Sequence, residues 1–502
     1  MSGNLLIEPL ISTDRSWHSL PGLFAAMARG EVAAFPALRP HQRPAWHMFC
    51  VQLGVLALDA AGLRDLPEDE DSWRSALRAL TPDFADDTPW QLIQTDRKRP
   101  AFLQPPDHGG QKWTPVATPD ALDMLITSRN HDLKREIARE PEPQDWIFAL
   151  VSLQTMEGYG GAGNNGVARM NGGSSSRAMI ALAPAREGSV ELDPSAWWAR
   201  DVRALLARRG GIAGLTLLWL YPWGDGSGFD LDKLDPMFIE VCRRIRLSQA
   251  GDRITAERST SKAARVAGRD AKGNTGDPWA PVHRTEGKSF TLGEQDWSHE
   301  VLVRLLYGAD WKIPDLAQPQ PGEEAAPMVL IAEAFARGNS KTDGFKSRLV
   351  PVPKAMVKKG LFGTRPVAFA EEVQQDIDAI EKALRDGLSL IAAEGDYEKR
   401  GKAHYARAQP ARDAYRHATD LAFFDELWRR ATAKVDIDST RMRYDFLTTL
   451  ARIARSEFDI ARSAIPCASL FRPRAEVRGR DAMERGIAKA LQPFQQQEEQ
   501  DA

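Results

Sequence analysis

The sequence predicts an α+β protein in which a large mixed N-terminal domain, residues 1–365, is followed by a C-terminal four-helix bundle, residues 366–502. The chain has 502 residues, more than one hydrophobic core usually supports, so two or more domains are expected. Before Pro366, short apolar runs alternate with proline and tryptophan. After Pro366, apolar residues recur at the spacing of one helix face.

The N-terminal region contains both helical and extended patterns. The apolar run 46–58 is long enough for a buried helix, and the shorter runs 179–182 and 215–220 predict strands. The turn-rich residues 221–226 end the second strand. Residues 146–153 form another apolar run, which has a strand-like pattern and leads directly into a glycine-rich segment.

The C-terminal region predicts four helices. The first carries one apolar stripe, closed by Gly395, whose members are Val373, Ile377, Ile380, Leu384, Leu388 and Ile391. Similar stripes begin at Tyr415 and Phe446, and residues 480–491 predict a fourth helix. Up-and-down packing into a bundle is the simplest way to bury these stripes.

Composition excludes several classes of protein. The three cysteines lie far apart, so a zinc ribbon or a disulfide framework is not expected. The net charge of -3 excludes a uniformly basic nucleic-acid coat but not local basic patches. We find neither a signal-peptide pattern nor a run of about 18 or more apolar residues. A cytoplasmic protein without a membrane span is therefore expected.

The most informative feature is a glycine-rich run at residues 158–173, in which seven of sixteen residues are glycine. Glycine is typical of backbone with positive φ and of surfaces that another backbone approaches closely. Gly158, Gly160 and Gly163 formally match a dinucleotide fingerprint, but Asn164 and Asn165 interrupt the helix that such a site needs.

Arginines within and after this run indicate what the loop could bind. Arg169 and Arg177 lie among glycine, serine and asparagine, residue types that place small donors against phosphates or base edges. A nucleic-acid-binding loop is the favoured interpretation. A surface loop without a ligand is the alternative.

Two further segments combine cations with small residues. Residues 243–272 hold nine lysines or arginines against three acids, which predicts a basic loop or hairpin arm. Residues 336–348 predict an exposed turn with Lys341 near its tip, which could act as a wedge or a minor-groove finger. A P-loop is excluded here because the first glycine of that motif is missing.

The sequence Asn130-His131-Asp132 allows more than one interpretation. Adjacent histidine and aspartate occur in metal phosphohydrolases, yet the other histidines do not lie at helical ligand spacing. An ordinary loop histidine is the alternative. The alternating charges of residues 127–135 fit either a solvated helix end or a loop that docks on RNA and protein.

These segments together resemble CasA, the large subunit of the type I-E CRISPR surveillance complex Cascade. The resemblance is spread over the chain, and the order and spacing of its parts carry it. The matching parts are residues 4–7, 129–132, 149–154 with the glycine run, 277–282, 337–348 and 350–353, followed by the helical C-terminal region.

The resemblance implies a non-enzymatic DNA reader without a metal or cofactor. In that family a glycine loop, a lysine finger and a wedge inspect the protospacer-adjacent motif from the minor groove, and the wedge starts strand separation. Lys272 corresponds to the finger, and Asn339, Ser340 and Lys341 correspond to the wedge. The residues implied for the loop are Gly158, Gly160, Gly161, Gly163, Asn164, Asn165 and Arg169.

The resemblance also implies partners. These are double-stranded target DNA, the guide RNA, the subunits CasB, CasC, CasD and CasE, and the helicase-nuclease that degrades the target. Arg129, Asn130, His131 and Lys134 would dock on the guide RNA or a neighbouring subunit. Two other functions remain open: a metal-dependent nuclease that uses His131 and Asp132, and a purely structural scaffold.

Overall fold

The chain forms two compact units. The computed structural model describes residues 3–107, 109–123, 140–172, 177–224, 228–324, 326–338, 341–433 and 436–498. The mixed unit comprises Met1–Trp297 and Arg304–Val352, and the helical unit comprises Ser298–Val303 and Pro353–Ala502. The predicted α+β class with a C-terminal helical bundle is confirmed.

Up to residue 352 the described chain forms short helices and strands in mixed order. The helices are α1 (Leu20–Ala28), α2 (Arg43–Ala60), α3 (Glu70–Ala79), α4 (Pro143–Met156), α5 (Pro194–Leu206) and α6 (His299–Leu306). The strands are β1 (Ile11–Ser12), β2 (Trp17–His18), β3 (Thr114–Val116), β4 (Met179–Pro184), β5 (Leu215–Leu217), β6 (Leu234–Ile239), β7 (Arg244–Ala250), β8 (Arg253–Ser259), β9 (Val282–His283), β10 (Trp311–Lys312), β11 (Met328–Gly338) and β12 (Lys341–Val352).

Two helices form the centre of the mixed unit. Helix α2 is buried on nearly all sides, which confirms the buried helix expected at residues 46–58. Helix α4 is buried in the same way, so the strand-like interpretation of residues 146–153 is wrong. A run that is apolar on every face shows no helical period, but Pro143 in the first turn favours a helix start.

Small sheets surround these helices. Strands β4, β11 and β12 form an antiparallel sheet in the order β12-β11-β4, which confirms extended structure at residues 179–182. Strands β3, β8 and β7 form a second antiparallel sheet in the order β3-β8-β7. Strand β5 pairs in parallel with β6 and spans only three of the six residues expected at 215–220.

The long hairpin β11–β12 corrects the exposed turn predicted at residues 336–348. Most of that segment is paired strand, and Gly338 lies opposite Lys341. Its register shifts between Ala336 and Arg337, where Gly344 adopts a φ of +102°. Such a bulge bends a strand and increases its local twist.

Four long helices dominate the helical unit. They are α8 (Thr364–Ala392), α10 (Gln409–Thr432), α11 (Asp436–Ala461) and α12 (Arg472–Glu498); the short helices α7 (Lys354–Lys359) and α9 (Lys402–Arg407) connect to them. The six apolar residues predicted to form the stripe of α8 are all buried. Gly395 follows this helix with a φ of +78°, as expected of a helix-terminating glycine.

Glycines allow α8 and α12 to approach closely. A Cβ at Gly387 would lie 2.7 Å from the carbonyl oxygen of Gly479, and a Cβ at Gly486 would lie 2.6 Å from the Cβ of Ala383. These distances are below van der Waals contact. The two helices can therefore approach this closely only because Gly387 and Gly486 have no side chain. Helix α12 begins eight residues before the predicted start, because Gly479 belongs to the helix rather than preceding it.

Candidate nucleic-acid interface

The glycine loop, described for residues 158–172, follows α4 and closes on itself. The backbone N–H of Gly160 donates to the carbonyl of Asn164 at 2.8 Å, and that of Asn164 donates to Gly161 at 2.9 Å. Gly161 and Gly163 adopt φ angles of +109° and +74°, so the turn requires residues that tolerate positive φ. The loop therefore has a defined conformation.

The glycines have different functions in the packing. A Cβ at Gly163 would lie 2.6 Å from that of Thr260, and a Cβ at Gly166 would lie 2.8 Å from the backbone of Gly158. These positions pack the loop against the protein and against itself. At Gly161 a Cβ would meet nothing within 4 Å, so this glycine faces open space and a ligand backbone could approach it.

Arg243 anchors the start of the loop. Its guanidinium donates to the carbonyl of Gly158 at 2.7 Å and lies 3.6 Å from the carboxylate of Glu157. Gln154, on the last turn of α4, accepts from the backbone N–H of Arg243 at 2.8 Å. Helix α4 and the segment before β7 together fix where the loop leaves the core.

Arg169 is buried, which corrects the expectation that its guanidinium meets DNA. It donates to the carbonyls of Pro236 and Phe238 at 2.9 Å each, and it lies over the ring of Phe238. Burial lowers the pKa of Arg169 to about 10. This side chain joins the end of the loop to β6 and exposes only 2% of its surface.

Arg177 is likewise part of the interior rather than of a binding surface. Its guanidinium is bound by the carboxylate of Asp277, with one N–H···O distance of 2.8 Å, and both residues are buried. The Arg177 backbone N–H also donates to Met156 at the end of α4. The pair therefore connects the chain after the glycine run to residue 277.

The backbone at Lys272 lies beside the glycine loop. This residue is exposed and adopts a φ of +49°, which is uncommon for a residue with a side chain. The next residue, Gly273, packs so closely on the loop that a Cβ would lie 2.7 Å from the backbone of Met170 and of Asn171. The fold thus brings together two segments about 100 residues apart in the sequence.

The basic segment 243–272 begins as the hairpin of β7 and β8, and four of its nine cations are buried. Arg246 donates to the carbonyl of Arg97, and Arg265 donates to those of Leu218 and Tyr221. Phosphate contact is thus the wrong expectation for the buried members Arg243, Arg244, Arg246 and Arg265. The exposed members are Arg253, Arg258, Lys262, Arg269 and Lys272.

The remaining predicted residues are only partly described. Asn339 and Ser340 connect β11 to β12 and lie outside the described residues, whereas the backbone of Lys341 begins β12. Arg129, Asn130, His131, Asp132 and Lys134 also lie outside the described residues. Asn164 and Asn165 are half-buried within the loop.

Within the described ranges we find no group of three or more His, Cys, Asp or Glu residues placed to hold a metal ion. Of the helices described, none combines the length and the apolar character needed to cross a membrane.

Sequence reasoning did not identify Glu240 or Arg243 as part of this site. Glu240 accepts from the backbone N–H of Ala168 with both carboxylate oxygens, at 3.0 and 2.9 Å. It is 72 residues from Ala168 in the sequence, and Arg243 is 85 residues from Gly158. The available signal was the presence of charged residues directly after an apolar strand, which is too common to be specific.

Solved structures with a similar fold cover nearly the whole chain. Cse1 from Acidimicrobium ferrooxidans has 17% identity and a TM-score of 0.63, with 98% of this chain and 99% of that chain covered. CasA from Thermus thermophilus has 15% identity and a TM-score of 0.66, with 97% and 100% covered. Cse1 from Thermobifida fusca has 15% identity and a TM-score of 0.61, with 97% and 98% covered.

No protein-family model and no curated protein sequence matches the chain. The chain has the fold of Cse1 and CasA proteins, so the resemblance predicted from the sequence is confirmed at the level of the fold.

Proposed function

We propose that this chain is the large, non-enzymatic subunit of a type I-E CRISPR surveillance complex, in which it recognises the protospacer-adjacent motif of target DNA. The observation that carries the proposal is the placement of Lys272 against the glycine loop, within a fold shared over nearly its full length with CasA and Cse1. A shared fold alone does not establish function, so the site supplies the chemical argument.

The glycine loop and Lys272 suit the minor groove. The open space at Gly161 lets a sugar-phosphate backbone approach the loop, and the exposed ammonium of Lys272 can donate to base edges in the groove. Gly161 therefore allows the DNA backbone to approach the loop closely, and Lys272 provides the polar contact to the bases. Gly158, Gly160 and Gly163 shape the loop rather than face the ligand.

Exposed cations near this surface supply phosphate contacts. Arg253, Arg258, Lys262 and Arg269 are exposed on the hairpin β7–β8 and the segment that leads to Lys272. Such contacts hold a duplex without reading its sequence, and their affinity decreases as salt increases. Guide-RNA pairing then supplies most of the target specificity.

Asn339, Ser340 and Lys341 are proposed as the wedge that starts strand separation. They occur where β11 joins β12, two paired strands of 11 and 12 residues. The hairpin is supported at its base, because the indole of Trp297 donates to the carbonyl of Lys346 and the guanidinium of Arg348 donates to that of Trp297. A rigid arm of this kind can hold a wedge against the stacked bases.

The partners follow from the proposed complex. The chain would act in the cytoplasm with the guide RNA and with CasB, CasC, CasD and CasE. Arg129, Asn130, His131 and Lys134 are proposed to dock on the guide RNA or its neighbouring subunit. The helical unit would contact other subunits and the displaced strand and help to recruit the helicase-nuclease.

The test is a binding experiment with the assembled complex and a duplex library that carries the guide target beside a randomised motif. We expect strong enrichment of a short motif and its loss when Lys272 is changed to alanine. Equal recovery of all motifs would reject the proposal. Incubation with Mg²⁺ or Mn²⁺ before recovery tests the nuclease alternative, since only a nuclease that uses His131 and Asp132 predicts cleavage without the helicase-nuclease.

A second measurement tests whether the proposed wedge opens the base pairs beside the motif or only holds the duplex. Changing Asn339 and Lys341 to alanine should slow opening of the base pairs beside the motif, because opening loses stacking of about 1.4 kcal/mol per step. A target with a pre-opened bubble should restore the rate. Equal loss on intact and bubbled DNA would show that these residues only hold the duplex.

A further inference from the structure

Glu240 is a buried carboxylate with few partners. It follows β6, exposes 3% of its surface, and accepts hydrogen bonds only from the backbone N–H of Ala168 among the described residues. No ion pair within 4.0 Å joins it to a described cation. An ionised carboxylate in such a place is costly, because burial removes its hydration and one N–H replaces little of it.

The surrounding arginines do not compensate this cost, because their guanidiniums bind other groups. Arg169 donates to Pro236 and Phe238, and Arg243 donates to Gly158. Burial raises the pKa of Glu240 to about 7, and the backbone hydrogen bond from Ala168 and the charges of Arg169, Arg177 and Arg243 oppose this only in part. A glutamine would avoid the charge, so stability does not explain a carboxylate here.

Ala168 is the point at which the loop meets the segment that carries Lys272. A Cβ at Gly268 would lie 2.8 Å from the Cβ of Ala168, and Gly273 packs on the backbone of Met170. Ala168 supports Gly268 directly, and Met170, two residues later in the same loop, supports Gly273, so a shift of this part of the loop moves the support of both ends of segment 268–273. The hydrogen bond from Ala168 to Glu240 fixes that support against β6.

We propose that Glu240 is a positioning residue, whose ionised carboxylate holds Ala168 so that the open face of the glycine loop and Lys272 keep a fixed spacing. This inference rests on the proposed function. It predicts that Glu240 controls discrimination between motifs. Because Glu240 contacts no phosphate, the dependence of affinity on salt should not change.

The pH dependence of discrimination gives a readout that needs no substitution. Discrimination by the native complex should increase from pH 6 to pH 8 as Glu240 ionises, since a charged acceptor binds an N–H more strongly than a neutral one. Burial lowers the pKa of Arg169 to about 10 and of Arg265 to about 9 and raises that of Cys242 to about 12, so these three neighbours do not titrate in that range. The other facing groups are Arg177, Arg243 and Glu157.

The experiment compares the native complex with Glu240→Gln and with Glu257→Gln, a matched control on β8 whose carboxylate pairs with Arg97. Each complex is titrated with a duplex carrying the preferred motif and one carrying a mismatched motif, at several salt concentrations and at pH 6, 7 and 8. For Glu240→Gln we expect discrimination to fall roughly tenfold at pH 8, with an unchanged salt slope and no pH response. Glu257→Gln should behave as the native complex.

The outcomes separate this inference from the proposed function. A native complex that does not discriminate between motifs at all contradicts the proposed function. A native complex that discriminates equally at every pH, or a folded Glu240→Gln variant that discriminates normally, overturns the role of Glu240. A reduced salt slope in that variant would also overturn it, because Glu240 would then act on phosphate contacts. If Glu240→Gln fails to assemble, the pH series on the native complex still decides.

Discussion

Replacing Gly161 with alanine tests whether the backbone conformation of the glycine loop is required for target binding. Gly161 has a φ of +109°, well outside the left-handed region that other residues adopt. A Cβ would meet no protein atom within 4 Å, so the substitution causes no collision inside the protein. The cost is conformational, on the order of 1–3 kcal/mol.

The size of the effect on binding follows from this cost. If only the present loop conformation binds the motif, a penalty of about 2 kcal/mol lowers its population and weakens duplex binding roughly 30-fold. Overall stability should change little, because the loop can relax to another conformation. The variant should therefore fold and assemble normally while losing affinity for duplex targets.

The assay measures the Kd of the assembled complex for a duplex with the preferred motif and for a single strand complementary to the guide. The single strand needs no motif, so Gly161→Ala should bind it normally. Gly172→Ala is the matched control, since Gly172 also has open space but a φ of +50°, which alanine adopts at a cost of about 1 kcal/mol, and we expect a loss of about fivefold. Duplex binding by Gly161→Ala within about threefold of native would refute the reasoning.

Three further predictions concern charge and packing. Lys262→Ala should reduce the slope of log affinity against log salt by about 1, and an unchanged slope would exclude a phosphate contact there. The raised pKa of Glu240, about 7 against an ordinary value of 4.5, means that the folded state binds more protons between these values. Stability should thus fall as pH rises through this window, by about 3 kcal/mol or roughly 4 °C in Tm relative to Glu240→Gln; a constant Tm difference would contradict it. Gly387→Ala should lower the Tm of the helical unit by several degrees, because overpacking at 2.7 Å from Gly479 costs about 1–3 kcal/mol, whereas Gly401→Ala, with open space, should not. Scanning calorimetry measures both stability changes.

The helical unit was predictable because its signal is periodic. The stripe of α8, from Val373 to Ile391, has one buried face, and spacing alone reveals it. Gly479 misled the prediction of α12 because glycine usually weakens a helix. Here the absence of a side chain at Gly479 allows close contact with Gly387 on α8. The sequence of α12 alone does not show that this contact requires a glycine.

The candidate site was predictable where its residues are adjacent in the sequence. Glycine density located the loop, but it could not distinguish Gly161, which faces open space, from Gly166, which packs on its own loop. The function of the arginines was less predictable. A count of charges treats Arg169 and Arg246 as surface cations, whereas both donate to backbone carbonyls inside the mixed unit. Burial depends on contacts far apart in the chain.

Glu240 shows how stability and the proposed function can oppose each other at one residue. Its ionised form is the stronger acceptor for Ala168, yet burial disfavours that form, so the conditions that hold the loop most firmly are those in which the fold is less stable. A neutral substitute would relieve the electrostatic cost and loosen the spacing between Gly161 and Lys272. Variants selected only for thermal stability above pH 7 should therefore accumulate changes at Glu240 and lose motif discrimination together, whereas stabilising changes in the helical unit should leave discrimination intact.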